Sequence, residues 1–185
     1  ITKTSLGLYA ESLPVEKTAG SPHHKEYYEE NRMIQRYARM LLGEDEATQQ
    51  IELDAEEYGA KYGFPDGAAT LFLTRGEGLN RRILMSRHIG MKLFEQKGFP
   101  SGIDFTGIFL IRENAMGRAF RRLEVPSHDA WEPSVLQDAA QEKQAKEMYA
   151  SLKRYLKEKV RERLMSEEER GIDAIGAGDF LPDLE

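Results

Sequence analysis

Arg81-Arg82-Ile83-Leu84-Met85-Ser86-Arg87-His88-Ile89-Gly90-Met91-Lys92-Leu93-Phe94 is the stretch on which the fold turns. It reads as two strands joined at Gly90, with cations at the turn. Alternate residues of a strand face the same side. Arg81, Ile83, Met85 and Arg87 therefore share one face, and Arg82, Leu84 and Ser86 the other. Upstream, residues 50–54 alternate in polarity, and Ala68 to Thr74 form a short apolar run that Gly76-Glu77-Gly78 breaks. Downstream, Asp104 to Ile111 is the most apolar run of the chain and is expected as a central strand. The short spacing between these runs predicts a meander of antiparallel strands.

The segments outside this block read as helices and loops. Residues 1–10 alternate weakly through Ile1, Leu6 and Leu8, which predicts an edge strand or the end of a preceding domain. Pro14, Gly20 and Pro22 make 11–22 a loop. A helix is expected from Ser21-Pro22 to Leu42, capped by Ser21 and stopped by Gly43. Its apolar side would carry Tyr27, Ile34, Tyr37, Ala38 and Leu41. Asn114 suits the cap of a short helix from Ala115 to Leu123, with Phe120 and Leu123 inward.

Residues 125–133 follow as a connector that Pro126 and Pro133 stiffen. Within it, His128 or Asp129 is expected to bond exposed backbone amides while Trp131 packs down as an anchor. Ser134 then caps a long helix whose stripe is Leu136, Ala140, Met148, Tyr149, Leu152, Leu156, Val160 and Leu164. Gly171 ends it, and the acidic tail holds Phe180-Leu181 as a short docking motif. The fold class is thus α+β: a mostly antiparallel sheet, helices packed on one face, and a long C-terminal helix. The expected division is 1–133 for the α+β domain, 134–170 for the helix and 171–185 for the tail.

Composition excludes several functions. The 185 residues fit one domain with a helical arm. No cysteine is present, so disulfides, thiolate metal sites and cysteine nucleophiles are ruled out. Hydrophobic residues make up 40% and charged residues 31%, a balance that suits long solvated helices. A net charge of -6 argues against a general nucleic-acid coat but leaves room for a local basic patch. No apolar run reaches the roughly 20 residues that span a bilayer, and no signal peptide opens the chain. A cytoplasmic protein without membrane partners is expected. The start at Ile1, without methionine, suggests a piece of a longer protein or a processed chain.

The chemistry concentrates in Arg75, Arg81, Arg82, Arg87, Lys92 and Lys97, set against Glu77 and Glu95. Arg87 and Lys92 lie close to the Gly90 turn. Together they would offer an anion a guanidinium fork and an ammonium group. The same run also reads as a solvated basic face that balances acidic helices. His23 and His24 are adjacent, so on a helix they point about 100° apart and share a ligand poorly. His128-Asp129 has no further ligands at a recognisable spacing, so no metal site is expected. There is no Walker-type loop, dinucleotide fingerprint, nucleophile elbow or zinc-protease helix, and no catalytic residue is assigned.

Residues 82–93 (Arg-Ile-Leu-Met-Ser-Arg-His-Ile-Gly-Met-Lys-Leu), the apolar strand 104–111, the His-Asp-Ala-Trp-Glu-Pro connector 128–133 and Gly-Asp-Phe-Leu-Pro 178–182 occur in that order. This resembles the region following the nucleotide-binding domain in bacterial ATP-binding proteins of the GHKL class. Gyrases, mismatch-repair ATPases, chaperones and histidine kinases belong to that class. The resemblance covers most of 23–182 and implies a transducer-like domain that couples nucleotide state to movement of the long helix. It implies ATP and magnesium in the parent protein, held by an upstream domain of the same chain, and no cofactor in these residues. It makes Lys92 the candidate to reach a terminal phosphate. A nucleic-acid-binding module using the basic strands 81–97, or a purely structural interaction domain, are the alternatives. A homodimer stays open.

Overall fold

A computed structural model describes residues 3–16, 20, 24–87, 91–99, 102–167 and 169–170. Its sheet has five strands: β1 (Gln49–Glu52), β2 (Ala69–Arg75), β3 (Arg82–Arg87), β4 (Met91–Gln96) and β5 (Phe105–Ile111). Their order is β1-β2-β5-β3-β4. Neighbours pair antiparallel except β3 and β5, which are parallel. The expected simple meander is therefore corrected. The last strand of the chain sits in the middle of the sheet, between β2 and β3.

Burial explains the insertion. Phe105, Ile108, Phe109 and Ile111 are at most 1% exposed and cover both faces of β5. A strand that is apolar on both faces is most stable where both faces are covered. Gly107 lets the neighbours close on it. A Cβ there would lie 2.9 Å from Leu73 Cδ2 and 3.0 Å from the Phe72 carbonyl oxygen.

Two cores follow from the alternation. On one face, Leu71, Leu73, Ile83, Met85, Phe105 and Phe109 lie under α3 (Ala115–Arg121) and α4 (Ala139–Leu164). On the other, Phe72, Leu84 and Ile108 meet Tyr37 and Met40 of α2 (Lys25–Leu42). The mostly antiparallel sheet and the long C-terminal helix are both present. Helices on a single face are not: α3 and α4 share one face, and α2 covers the other.

Residues 3–12 form a helix, α1 (Lys3–Ser12), and not an edge strand. The apolar residues of 1–10 are Ile1, Leu6, Leu8, Tyr9 and Ala10, and Leu8-Tyr9-Ala10 run together, so they cannot impose a period of two. The end of α1 also has helix-specific partners. Gln35 Nε2 on α2 donates to the Ala10 carbonyl at 3.0 Å, and Asn31 Nδ2 donates to Pro14 at 2.7 Å. The first bond answers a carbonyl that the helix end leaves open, and the second ties down the chain just beyond it. The expected cap at Ser21-Pro22 lies outside the described residues, and His24 is the N-cap of α2. Gly43 ends α2 in the left-handed region at φ 76°, a conformation glycine adopts at little cost. On this helix Tyr28 is buried and Tyr27 is exposed, the reverse of the expected emphasis.

The long helix begins later than Ser134. Pro133–Val135 form a 3-10 turn, Leu136 is extended, and Asp138 caps α4 by accepting from the Gln141 N–H at 2.8 Å. The 26 residues of α4 run about 39 Å at 1.5 Å per residue. Met148, Leu152, Leu156, Val160 and Leu164 repeat at four and face the core, whereas Ala140 is exposed. At the far end, Arg75 on β2 donates to the Leu164 carbonyl at 2.6 Å and pairs with Glu169 at 2.7 Å. That arginine holds the last turn of α4 against the sheet. Among the described residues, no helix is long and apolar enough to cross a membrane. The Gly90 turn and the Phe180-Leu181 motif lie outside the described residues.

Candidate functional site

β3 and β4 carry both cations expected to share an anion, and the ladder separates them. Ser86 pairs with Lys92 and Arg87 with Met91, after a bulge at Met85/Ser86. Lys92 thus shares a face with Ser86, on the α2 side. Arg87 shares a face with Ile83 and Met85, on the α3/α4 side. One anion cannot sit between two groups on opposite faces of a sheet. Lys92 is exposed and lines an open cleft of 870 Å³ between α2 and the β3–β4 edge, with Arg32, Arg39, Glu26 and Glu30.

Arg87 has a different partner. It is 8% exposed, its Nε is 2.6 Å from Glu124 Oε1, and its Nη2 donates to Glu124 Oε2 at 2.9 Å. The Glu124 side chain is 2% exposed. An arginine on the apolar face of a strand needs a buried counter-charge, because an isolated charge there is very costly. Sequence reasoning missed Glu124. Its signal was present: it is the single carboxylate between Glu113 and Asp129.

Glu124 also organises the connector. Glu124 and Trp131 form an isolated antiparallel bridge, and the Glu132 N–H donates to the Leu123 carbonyl at 2.7 Å. The chain turns between them with His128 at φ 56°, in the left-handed region. His128 Nδ1 lies 3.0 Å from Glu124 Oε2, and the Ser127 hydroxyl donates to Asp129. The expected side-chain bonds from His128 or Asp129 to backbone amides are replaced by these side-chain contacts. Trp131 is 4% exposed. Its ring stands 4.4 Å from Phe120, 5.1 Å from Phe94 and 5.6 Å from Tyr149, centroid to centroid. Tyr149 also donates to Gln96 Oε1 at 2.8 Å. β4 is therefore joined to α3 and α4 through one aromatic cluster and one hydrogen bond.

The rest of the basic run is largely neutralised internally. Arg75 pairs with Glu169, Arg81 with Asp104 at 3.8 Å, and Arg82 with Glu95 at 2.7 Å. Among the described residues, Lys92 and Lys97 have no ion-pair partner. Glu169 is held near pKa 2, first by the Arg75 hydrogen bond and then by the Ser166 N–H.

A second cluster lies under α4. Tyr58 donates to the Met148 carbonyl at 3.1 Å and stacks on Tyr155 at 5.7 Å. Lys159 Nζ sits 2.7 Å from Glu57 and 2.9 Å from Glu162. Burial pushes the hydroxyls of Tyr149 and Tyr155 up to about 12, and that of Tyr58 further still. The folded state thus holds these protons more tightly than the unfolded chain, where tyrosine titrates near 10. Their contribution to stability is complete below about pH 10 and is lost as pH rises towards about 12. In an alkaline titration, tyrosinate absorbance from this cluster is expected to appear together with loss of helical circular dichroism. Full tyrosinate absorbance near pH 10, with the helix signal intact, would contradict that account.

No family model, curated protein or solved structure matches the chain.

Proposed function

We propose that the chain acts as a transducer-like coupling domain of a larger ATP-dependent protein of the GHKL class. ATP and magnesium belong to an upstream domain of the parent, which works in the cytoplasm, and these residues hydrolyse nothing alone. The supporting observation is the two-sided placement of β4. On its α2 side, Lys92 is exposed and has no ion-pair partner among the described residues. On its other side, Phe94 and Gln96 reach α4 through Trp131 and Tyr149. A force applied at Lys92 would pass into the long helix through packed side chains. Coupling of this kind needs a ligand with different affinity for two states. A terminal phosphate present before hydrolysis and absent after it supplies that difference.

Arg87 does not share this role, because Glu124 already engages it. The nucleic-acid reading of strands 81–97 is weakened for the same reason: most of its arginines already face carboxylates, so few counterions would be released from a bound backbone. In the full-length protein, Lys92→Ala is expected to lower ATP turnover about ten- to hundredfold, the value of one charge-assisted hydrogen bond. The melting temperature should stay unchanged, since the side chain is exposed. Unchanged turnover would reject the role of Lys92. A fall in nucleic-acid affinity with a flatter salt dependence would favour the binding-module reading instead.

A further inference from the structure

Four arginines from three parts of the chain converge where β3 and β5 end. Arg87 of β3, Arg112 just after β5, and Arg118 and Arg121 of α3 line one cavity of 290 Å³, together with Asn114 and Glu113. Gathering four like charges opposes the sign of a chain with net charge -6. Repulsion among them favours dispersal unless something holds them or something binds them.

Two of the four are held. Arg87 is clamped by Glu124 through Nε and Nη2, and Nη1 takes no part in those contacts. Arg112 Nη2 donates to both Glu52 oxygens, at 3.0 and 2.9 Å, and lies 3.0 Å from Thr70 Oγ1. The other two are not. Arg118 and Arg121 are three apart on α3 and so lie on one side of it. Both are exposed, and among the described residues neither has an ion-pair partner. Backbone amides at the start of α3 are not the attraction, because Asn114 Oδ1 already accepts from the Met116 and Gly117 N–H groups. Gly117 brings this helix in close: a Cβ there would lie 2.5 Å from the Arg112 carbonyl oxygen. The glycine thereby sets Arg118 beside Arg112.

We propose that this cavity binds a phosphate group, as a phosphomonoester, a diphosphate or a nucleic-acid phosphodiester. Guanidinium forks match the oxygens of a phosphate, and several of them answer a charge of two better than a single carboxylate would use them. The volume lies at the lower end for ligand cavities, so it takes a phosphate head group and not a whole cofactor. The phosphate is carried by a small phosphorylated molecule or by a nucleic-acid backbone, whose phosphodiesters present one charge each and draw on the same guanidinium groups. The inference does not depend on the role of Lys92, which lies on the opposite face of the sheet.

The test is isothermal titration of the chain with inorganic pyrophosphate in a low-salt, phosphate-free buffer. Three proteins are compared: the unaltered chain, R118Q/R121Q and Lys157→Gln. Saturable binding is expected, weaker at higher salt. R118Q/R121Q should lose about tenfold or more in affinity, with an unchanged melting temperature. Lys157→Gln, at an exposed lysine of α4 that does not line the cavity, should bind like the unaltered chain. If the double variant melts early, R121Q alone replaces it, with a smaller loss expected. A parallel titration uses a short oligothymidylate. Binding that pyrophosphate displaces assigns the site to a nucleic-acid backbone, and pyrophosphate binding without oligothymidylate binding assigns it to a small phosphorylated ligand. The proposal is overturned by absent binding at millimolar pyrophosphate, by equal affinity in R118Q/R121Q, or by an equal loss in Lys157→Gln.

Discussion

Trp131→Ala is expected to destabilise the protein by about 3–5 kcal/mol, the usual cost of removing a large buried aromatic. The ring contacts Phe94 of β4, Phe120 of α3 and Tyr149 of α4, so its loss opens a void among three elements at once. A urea midpoint measures the effect. Trp131→Phe should cost much less. The indole Nε1 has no hydrogen-bond partner among the described residues. A buried donor without a partner is itself unfavourable, and phenylalanine removes it. An alanine variant within about 1 kcal/mol of the parent, or a phenylalanine variant as damaged as alanine, would show that the ring does not anchor the cluster.

Glu124→Ala should cost about as much, roughly 3–5 kcal/mol, for an electrostatic reason. The substitution leaves the Arg87 guanidinium buried with no counter-charge, and His128 without its contact. Replacing both partners by apolar residues, as in Arg87→Met with Glu124→Leu, should recover most of the loss, because a buried ion pair offsets little more than its own desolvation. A double-mutant cycle by chemical denaturation reads the coupling. If the double variant is as unstable as Glu124→Ala, the damage comes from the connector's backbone and not from the stranded charge.

Much of the fold was legible because periodicity carries it. The runs at 68–74, 83–86, 91–94 and 104–111 became the strands at 69–75, 82–87, 91–96 and 105–111, and Asn114 capped α3 as its side chain allows. What periodicity cannot encode is the order of strands in space. β5 takes the centre because both its faces are apolar, and nothing in the spacing of 97–104 requires it to pass β3. The candidate site was less legible for a related reason. Arg87 and Lys92 are close along the chain, and the turn between them suggested shared work. The Met85/Ser86 bulge and strand alternation put them on opposite faces, a two-dimensional fact that a one-dimensional spacing hides. Glu124 stands out as a lone carboxylate, but at 37 residues from Arg87 nothing in the sequence names its partner. The cluster of Arg112, Arg118 and Arg121 was passed over because only the end of β5 and the start of α3 bring it to Arg87.

The central place of β5 has a consequence for how the molecule is made. β1 pairs with β2, and β3 pairs with β4, but no ladder joins these two pairs except through β5. During synthesis each pair can assemble as it emerges, yet both keep an open inner edge until Ile111 has left the ribosome. Unpaired edges of this kind invite pairing with other chains. The glycine at 107 then matters in time as well as in space, since it lets the last strand enter a slot whose two walls are already standing.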